Sequence, residues 1–188
     1  MALSVPELDT PRLHLRGHRP DDFEPYAAMW ADPNVVRYIG GAPVTREAAW
    51  TRFLRHAGLW HFLGFGYFAV EEKATGAFVG QVGFQDLRRA ITPSIEGTME
   101  AGWVIAPVAQ GQGYAIEAMR AALAWADAAW PVPRMTCIIE PSHAVSLAIA
   151  AKLGFVEFAR ADGQGSQLVL LERRRQGDQA SAGEAARS

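Results

Sequence analysis

Between Val104 and Ala126 the chain reads VIAPVAQGQGYAIEAMRAALAWA, an apolar strand-like piece that passes through Pro107 and two glycines into an amphipathic helix. The residues that carry chemistry here are Gln110, Gly111, Gln112, Gly113, Tyr114 and Ala115, followed by Ile116. Small residues at a strand-to-helix joint let the backbone turn tightly and present successive N–H groups. Unpaired amides and the positive end of the helix dipole favour an anion such as phosphate, each charge interaction contributing about 0.3–1 kcal/mol, and up to about 2 when partly buried. Spacing excludes two familiar glycine motifs. A P-loop needs Gly-Lys-Ser/Thr, and the dinucleotide fingerprint needs a small residue where Ile116 stands. The remaining pattern is Gln-x-x-Gly-x-Ala.

Other reactive side chains group less tightly. Glu100 lies in MEAGW on the strand before the loop, and Glu96 precedes it as a weaker candidate base. Beyond Pro141, His143, Ser146 and Ala150 are spaced i, i+3, i+7 and share one helical face. His14 and His18 are four apart, which in a strand separates them by about 13 Å, too far to share a metal. No metal is expected. Cys137 is the only cysteine and sits in an apolar strand, so it reads as an inert core residue with no disulfide to form.

The elements that must position these groups follow from periodicity. Leu8 to Arg16 alternates as a first strand, and Pro20 to Ala31 reads as a helix ended by Asp32-Pro33. Thr45 caps a second helix whose expected apolar stripe is Ala49, Phe53, Leu54, Ala57 and Trp60, up to Gly64. Trp30, Trp50 and Trp60 are all expected in the core. Gly66 to Lys73 and Ala77 to Gln85 form a hairpin about Ala74-Thr75-Gly76, and a loop from Asp86 to Gly97 leads to the strand of Glu100. After the glycine loop come a helix to about Trp130, a strand at Met135 to Glu140, and a helix from Ser142 to Leu153 ended by Gly154. Two short strands then flank a turn at Asp162 to Gly165. This order gives a mixed α+β domain whose middle is built like an α/β unit.

At 188 residues, 49% hydrophobic and 20% charged, the chain can close one sizeable core. Its formal net charge of -2 supplies no field to draw in a polyanion, so nucleic acid is not an expected ligand. No signal-peptide layout and no apolar run of about 18 residues is present, which predicts a cytoplasmic protein without a membrane partner. Residues 1–175 form the expected domain, and residues 176–188, which offer nothing to a core, are expected to be a disordered tail.

The motif Gln-x-x-Gly-x-Ala resembles the signature of the GNAT N-acetyltransferases. The stretch from His143 to Phe155, HAVSLAIAAKLGF, resembles the second-helix pattern Asn-x-x-Ser-x-x-x-Ala-x-Lys-Leu-Gly-Phe of the family's RimJ/RimL-like branch. The two motifs in register cover the C-terminal half, and the element order to about Arg175 also fits. The resemblance implies a single domain with a central, mostly antiparallel mixed sheet of six to seven strands, two of them parallel and splayed, flanked by about four helices. It implies acetyl-CoA as co-substrate and transfer of the acetyl group to a primary amine, a protein N-terminus or a small amine.

By the same resemblance, Gly111 to Ile116 with Gln110 would hold the pyrophosphate, and Trp103, Val104 and Ile105 would pair with the pantetheine arm through their backbone. Ser146 would protonate the departing thiolate, since the position used by a tyrosine in many relatives is Ala150 here. Glu100 would take the amine proton. His143 stands where the family has an asparagine that bonds the pantetheine arm, so one amide becomes a ring with one donor and one acceptor. The acceptor would enter between residues 33–44, which carry Asn34, Arg37 and Tyr38, and residues 162–166, which carry Asp162. Exposed strands near the C-terminus admit a homodimer. A different class of reading is a catalytically silent module that binds acetyl-CoA as a sensor or assembly part.

Overall fold

The computed structural model describes residues 5–130, 132–163 and 166–174. Eight strands and five α-helices follow one another as β1 (Leu8–Asp9), β2 (Leu13–Arg16), α1 (Phe23–Ala31), α2 (Pro33–Val36), α3 (Arg46–Leu63), β3 (Tyr67–Glu72), β4 (Phe78–Gln85), β5 (Met99–Ile105), α4 (Tyr114–Ala129), β6 (Arg134–Ile139), α5 (Ala144–Lys152), β7 (Val156–Gly163) and β8 (Ser166–Arg174). The strands are ordered β1-β2-β3-β4-β5-β6-β8-β7 in a mixed sheet. The chain divides into two compact units, one holding the chain up to Gln85 with Gly102–Ala122, the other Asp86–Ala101 with the chain from Leu123.

In the first unit β1 to β3 and β3 to β4 pair antiparallel. The β3–β4 hairpin turns at Ala74 to Gly76, where the Gly76 N–H donates to Glu72 O at 2.8 Å. Helices α1 and α3 bring Phe23, Tyr26, Trp30, Ala49 and Phe53 into one apolar cluster with Val36. Thr45 caps α3 through its Oγ1, which accepts from the Ala48 N–H at 3.2 Å. Arg16 and Asp22, both buried, form a two-bond ion pair at 2.7 and 2.9 Å. Above them His18 stacks on His56 of α3, ring centroids 4.3 Å apart. His56 Nε2 meets the Tyr26 hydroxyl at 3.2 Å, whereas both nitrogens of His18 and Nδ1 of His56 are buried with no bonding partner. Burial therefore holds both imidazoles neutral, His18 down to about 4 and His56 well below the ordinary value.

In the second unit β5 pairs parallel with β6 through Met99 with Met135 and Glu100 with Thr136, while β6 and β7 pair antiparallel with β8. Ile95, Ala161 and Leu170 form a buried apolar cluster, with Ile91, Ile138 and Phe158 packed on them. Helix α5 ends in a two-bond C-terminal cap: the Phe155 N–H donates to Ala150 O and the Gly154 N–H to Ala151 O, with Gly154 at φ +86°.

Several expectations are corrected. The sheet has eight strands rather than six to seven, because the stretch at Leu8 to Arg16 breaks around Pro11, which cannot donate to a ladder. The described residues hold five α-helices where about four were expected, because Asp32 restarts the chain as the short α2: its Oδ1 accepts from the Asn34 N–H at 2.8 Å. The buried stripe of α3 is Ala49, Phe53, His56, Leu59 and Trp60, so Leu54 and Ala57 face solvent and Trp50 is 43% exposed. Helix α5 begins at Ala144, which makes His143 its cap residue. Asp162 is paired with Gln167 inside β7 instead of standing in a turn. The expected tail at 176–188 lies outside the described residues.

Candidate active site

The glycine loop belongs to the first unit. After a short 3-10 turn at Pro107–Ala109, Gly111 and Gly113 take φ of +76° and +79°, a region where a Cβ is strained and glycine is not. The first bond of α4 runs from the Glu117 N–H to Gly113 O at 3.1 Å. The amides of Tyr114, Ala115 and Ile116 precede it and point out of the helix end, as first-turn amides must. Built on Gly111, a Cβ would meet nothing within 4 Å, so the space beside this turn is open. The side chain of Gln110 donates through Nε2 to Ile105 O at 2.9 Å, tying the loop back to the end of β5. Gln112 is exposed.

Sequence reading missed what braces this loop from the far end of the unit. Arg12, in the turn between β1 and β2, forms an ion pair with Glu117 of α4 at 2.6 Å and lies over the Tyr114 ring, 4.5 Å from its centroid. Thr10 Oγ1 and the Arg12 N–H also donate to Glu117, at 2.7 and 3.0 Å. The Tyr114 hydroxyl donates to Glu72 at 2.5 Å. One Arg12 nitrogen lies 3.7 Å from where a Cβ on Gly113 would stand, so a guanidinium flanks the amide cradle. The only prior signal was a lone arginine beside Pro11. Of the expected pantetheine residues, Trp103 and Val104 are half-buried and Ile105 is buried, all on β5.

The proton-carrier candidates lie in the second unit. Glu100 is buried, and both its oxygens accept from Arg89, Oε2 from Nε at 2.7 Å and Oε1 from Nη2 at 2.8 Å. Arg89 is brought there by the loop between β4 and β5. Asp86 closes that loop by accepting from the Arg88 and Gly97 N–H groups, both at 3.0 Å, while Ile91 and Ile95 pack into the apolar cluster. Glu96 is exposed and near Arg88. Ser146 and Ala150 are the buried residues of α5, and His143, at its cap, is half-buried. Burial pulls the His143 imidazole below its ordinary value, with the Glu140 charge pulling the other way, so the ring is neutral at pH 7. Cys137 is buried, and its thiol is pushed up by burial first and by the Glu100 charge second.

The expected acceptor residues divide the same way. In the first unit Asn34 is exposed on α2, and Arg37 lies over the Tyr38 ring at 5.3 Å. In the second unit Asp162 is exposed on β7. Among the described residues no three His, Cys, Asp or Glu side chains gather as a metal site, and no helix is long and apolar enough to cross a membrane.

The chain is similar to an acetyltransferase of the GNAT type from Bordetella pertussis, with 32% identity, a TM-score of 0.79, and 89% of this chain and 99% of that one covered. It is 29% identical over 152 residues to the uncharacterized protein YkkB of Bacillus subtilis, covering 79% of this chain and 84% of YkkB. The structure of RimL, a ribosomal-protein α-N-acetyltransferase, in complex with coenzyme A shares the fold at a TM-score of 0.71 and 13% identity, covering 90% of this chain and 98% of that one. Residues 12–156 match the acetyltransferase (GNAT) domain, and a match spanning both the glycine loop and α5 places this chain in the GNAT family as an acetyltransferase.

Proposed function

We propose that this protein transfers the acetyl group of acetyl-CoA to a primary amine, a protein N-terminus or a small amine, by direct attack within a ternary complex. The observation that carries the reading is the loop at Gln110 to Ile116, whose two left-handed glycines and first-turn amides present N–H donors of the sign a pyrophosphate needs. The guanidinium of Arg12, paired with Glu117, stands beside Gly113 at its edge. Acetyl-CoA supplies the activated thioester, and the chain's own residues bind it, hold the amine and carry protons.

In this reading Gly111 to Ile116 hold the pyrophosphate, with Gln110 keeping the loop against β5. Backbone groups of Trp103, Val104 and Ile105 hold the pantetheine arm, and one of their N–H groups stabilises the tetrahedral oxyanion. Glu100 accepts the amine proton, directly or through water, from the position in which Arg89 holds it. Ser146 gives a proton to the thiolate, and the neutral His143 ring replaces the family's amide beside the sulfur. Asn34, Arg37, Tyr38 and Asp162 meet the acceptor. The cytoplasm is its proposed compartment.

A second reading is a silent acetyl-CoA-binding module. It draws on Glu100, both of whose oxygens are engaged by Arg89, so that proton acceptance must displace one charge-assisted bond. Free-thiol release from acetyl-CoA, screened across N-terminal peptides and small amines, separates the two. Release with at least one amine, lost in Gly113→Glu together with coenzyme affinity, is the outcome expected of the transferase. Coenzyme binding with no release under any amine is the outcome expected of the silent module.

A further inference from the structure

Helix α3 has a second face. Its buried stripe leaves Trp50 and Leu54 at 43% and 53% exposed on one side, Trp50 resting on Phe23 and Phe53 by its inner part, with Phe62, 82% exposed, on the flank of that side. Glu47, Trp50, Leu54, Gly58 and His61 follow spacings of 3, 4, 4 and 3 and so lie along one face. That order is symmetric about Leu54, a large residue matching a small one on either side and an acid matching an imidazole. Nothing lies within 4 Å of where a Cβ on Gly58 would stand, so the helix surface is notched there. At the N-terminal end of the face, Phe23, Arg46, Glu47 and Trp50 line an open groove of about 420 Å³. The Glu47 carboxylate is exposed at that end, and the exposed His61 at the other meets the neighbouring Phe62 ring, 4.7 Å between centroids.

We propose that this face docks on the same face of a second copy, the two α3 helices antiparallel about a two-fold axis at Leu54. An isologous contact requires a self-complementary patch. In this register residue i comes level with residue 108 minus i of the partner, so Leu54 meets Leu54, Trp50 comes level with the partner's Gly58, and Glu47 comes level with the partner's His61. The exposed edge of the indole enters the notch, and carboxylate and imidazole share a proton or a hydrogen bond across the seam. Other registers lose the acid–imidazole match at both ends. An 18-residue helix is about 27 Å long, so its single face covers less than the ~800 Å² per partner of a standard stable interface. The dimer is therefore weak and its population depends on concentration. This surface is distinct from the C-terminal strands, where Val156 of β7 is also exposed.

Sedimentation velocity on the full chain, from about 1 to 300 μM, tests the proposal. A sedimentation coefficient rising with concentration is expected, and Leu54→Glu, which sets two carboxylates face to face, is expected to weaken association at least ~50-fold. Glu47→His and His61→Glu should each weaken it by a few-fold, and the double swap should restore it. Leu54→Cys should cross-link rapidly to a disulfide dimer under mild oxidant while Thr75→Cys, at the β3–β4 turn, does not. A native chain that stays monomeric throughout overturns the proposal. So does a dimer that survives Leu54→Glu, a double swap that restores nothing, or equal cross-linking at positions 54 and 75.

Discussion

The loop at Gln110 to Ile116 and the carboxylate of Glu100 stand close in sequence yet are held in opposite ways. The loop is a backbone device: its conformation follows from glycines at positive φ, and its charge from amides that no helix can satisfy. Glu100 is a side-chain device, aimed by an arginine on a folded-back loop whose own ends are fastened by Asp86. A backbone site is specified where it is written. A side-chain site is specified by whatever the fold brings alongside, and the two should fail differently when altered.

The largest expected effect falls on the side-chain half. Glu100→Gln and Ser146→Ala should each lower kcat by about 10²-fold or more while the Kd for acetyl-CoA stays unchanged, which single-turnover kinetics beside calorimetry would check. Equal losses in Kd would erase the distinction between the two sites.

Acid should reach the loop through the unit that carries it. His18 and His56 are held neutral in the fold, whereas an unfolded chain protonates them near pH 6.5. Above that pH both states are neutral and stability is flat. Below it the unfolded chain binds protons that the fold refuses, down to about 4 for His18, so stability falls as pH falls, by up to about 1.4 kcal/mol per unit for each histidine. Urea midpoints measured from pH 7.5 to 4.5 should show this slope, and His56→Phe should remove about half of it.

Smaller still, Gly113→Ala places a Cβ at φ +79° and should raise the coenzyme Kd by about tenfold, from roughly 1–2 kcal/mol of backbone strain, with kcat near native. Arg12→Ala should raise Kd by only a few-fold, about 0.3–1 kcal/mol, and should reduce the salt sensitivity of binding. A larger effect of Arg12 than of Gly113 would make the loop a side-chain site after all.

Much of the scaffold was legible because it is local. The Thr45 cap, the turn at Gly76, the helix end at Gly154 and the loop glycines are each dictated by residues within a few positions of one another. The rest required the tertiary fold. Nothing in the spacing of Arg12, Glu72 and Glu117 announces that they converge on Tyr114, and nothing near Arg89 points to Glu100. On α3 the sequence offered two adjacent apolar stripes, and only the burial of His56 against Tyr26 and His18 decides which one faces inward. A histidine in the core was the feature that made the wrong stripe look the better one.

Cys137 has a practical consequence. It is the sole sulfhydryl of the chain, it is buried, and its environment disfavours the thiolate on which disulfide-exchange reagents depend. A colorimetric reading of liberated coenzyme can therefore be taken continuously with the folded enzyme in the cuvette and contain almost no signal from the enzyme itself. Any slow rise in that blank would report the chain opening, so one trace follows turnover at early times and the integrity of the protein at late ones.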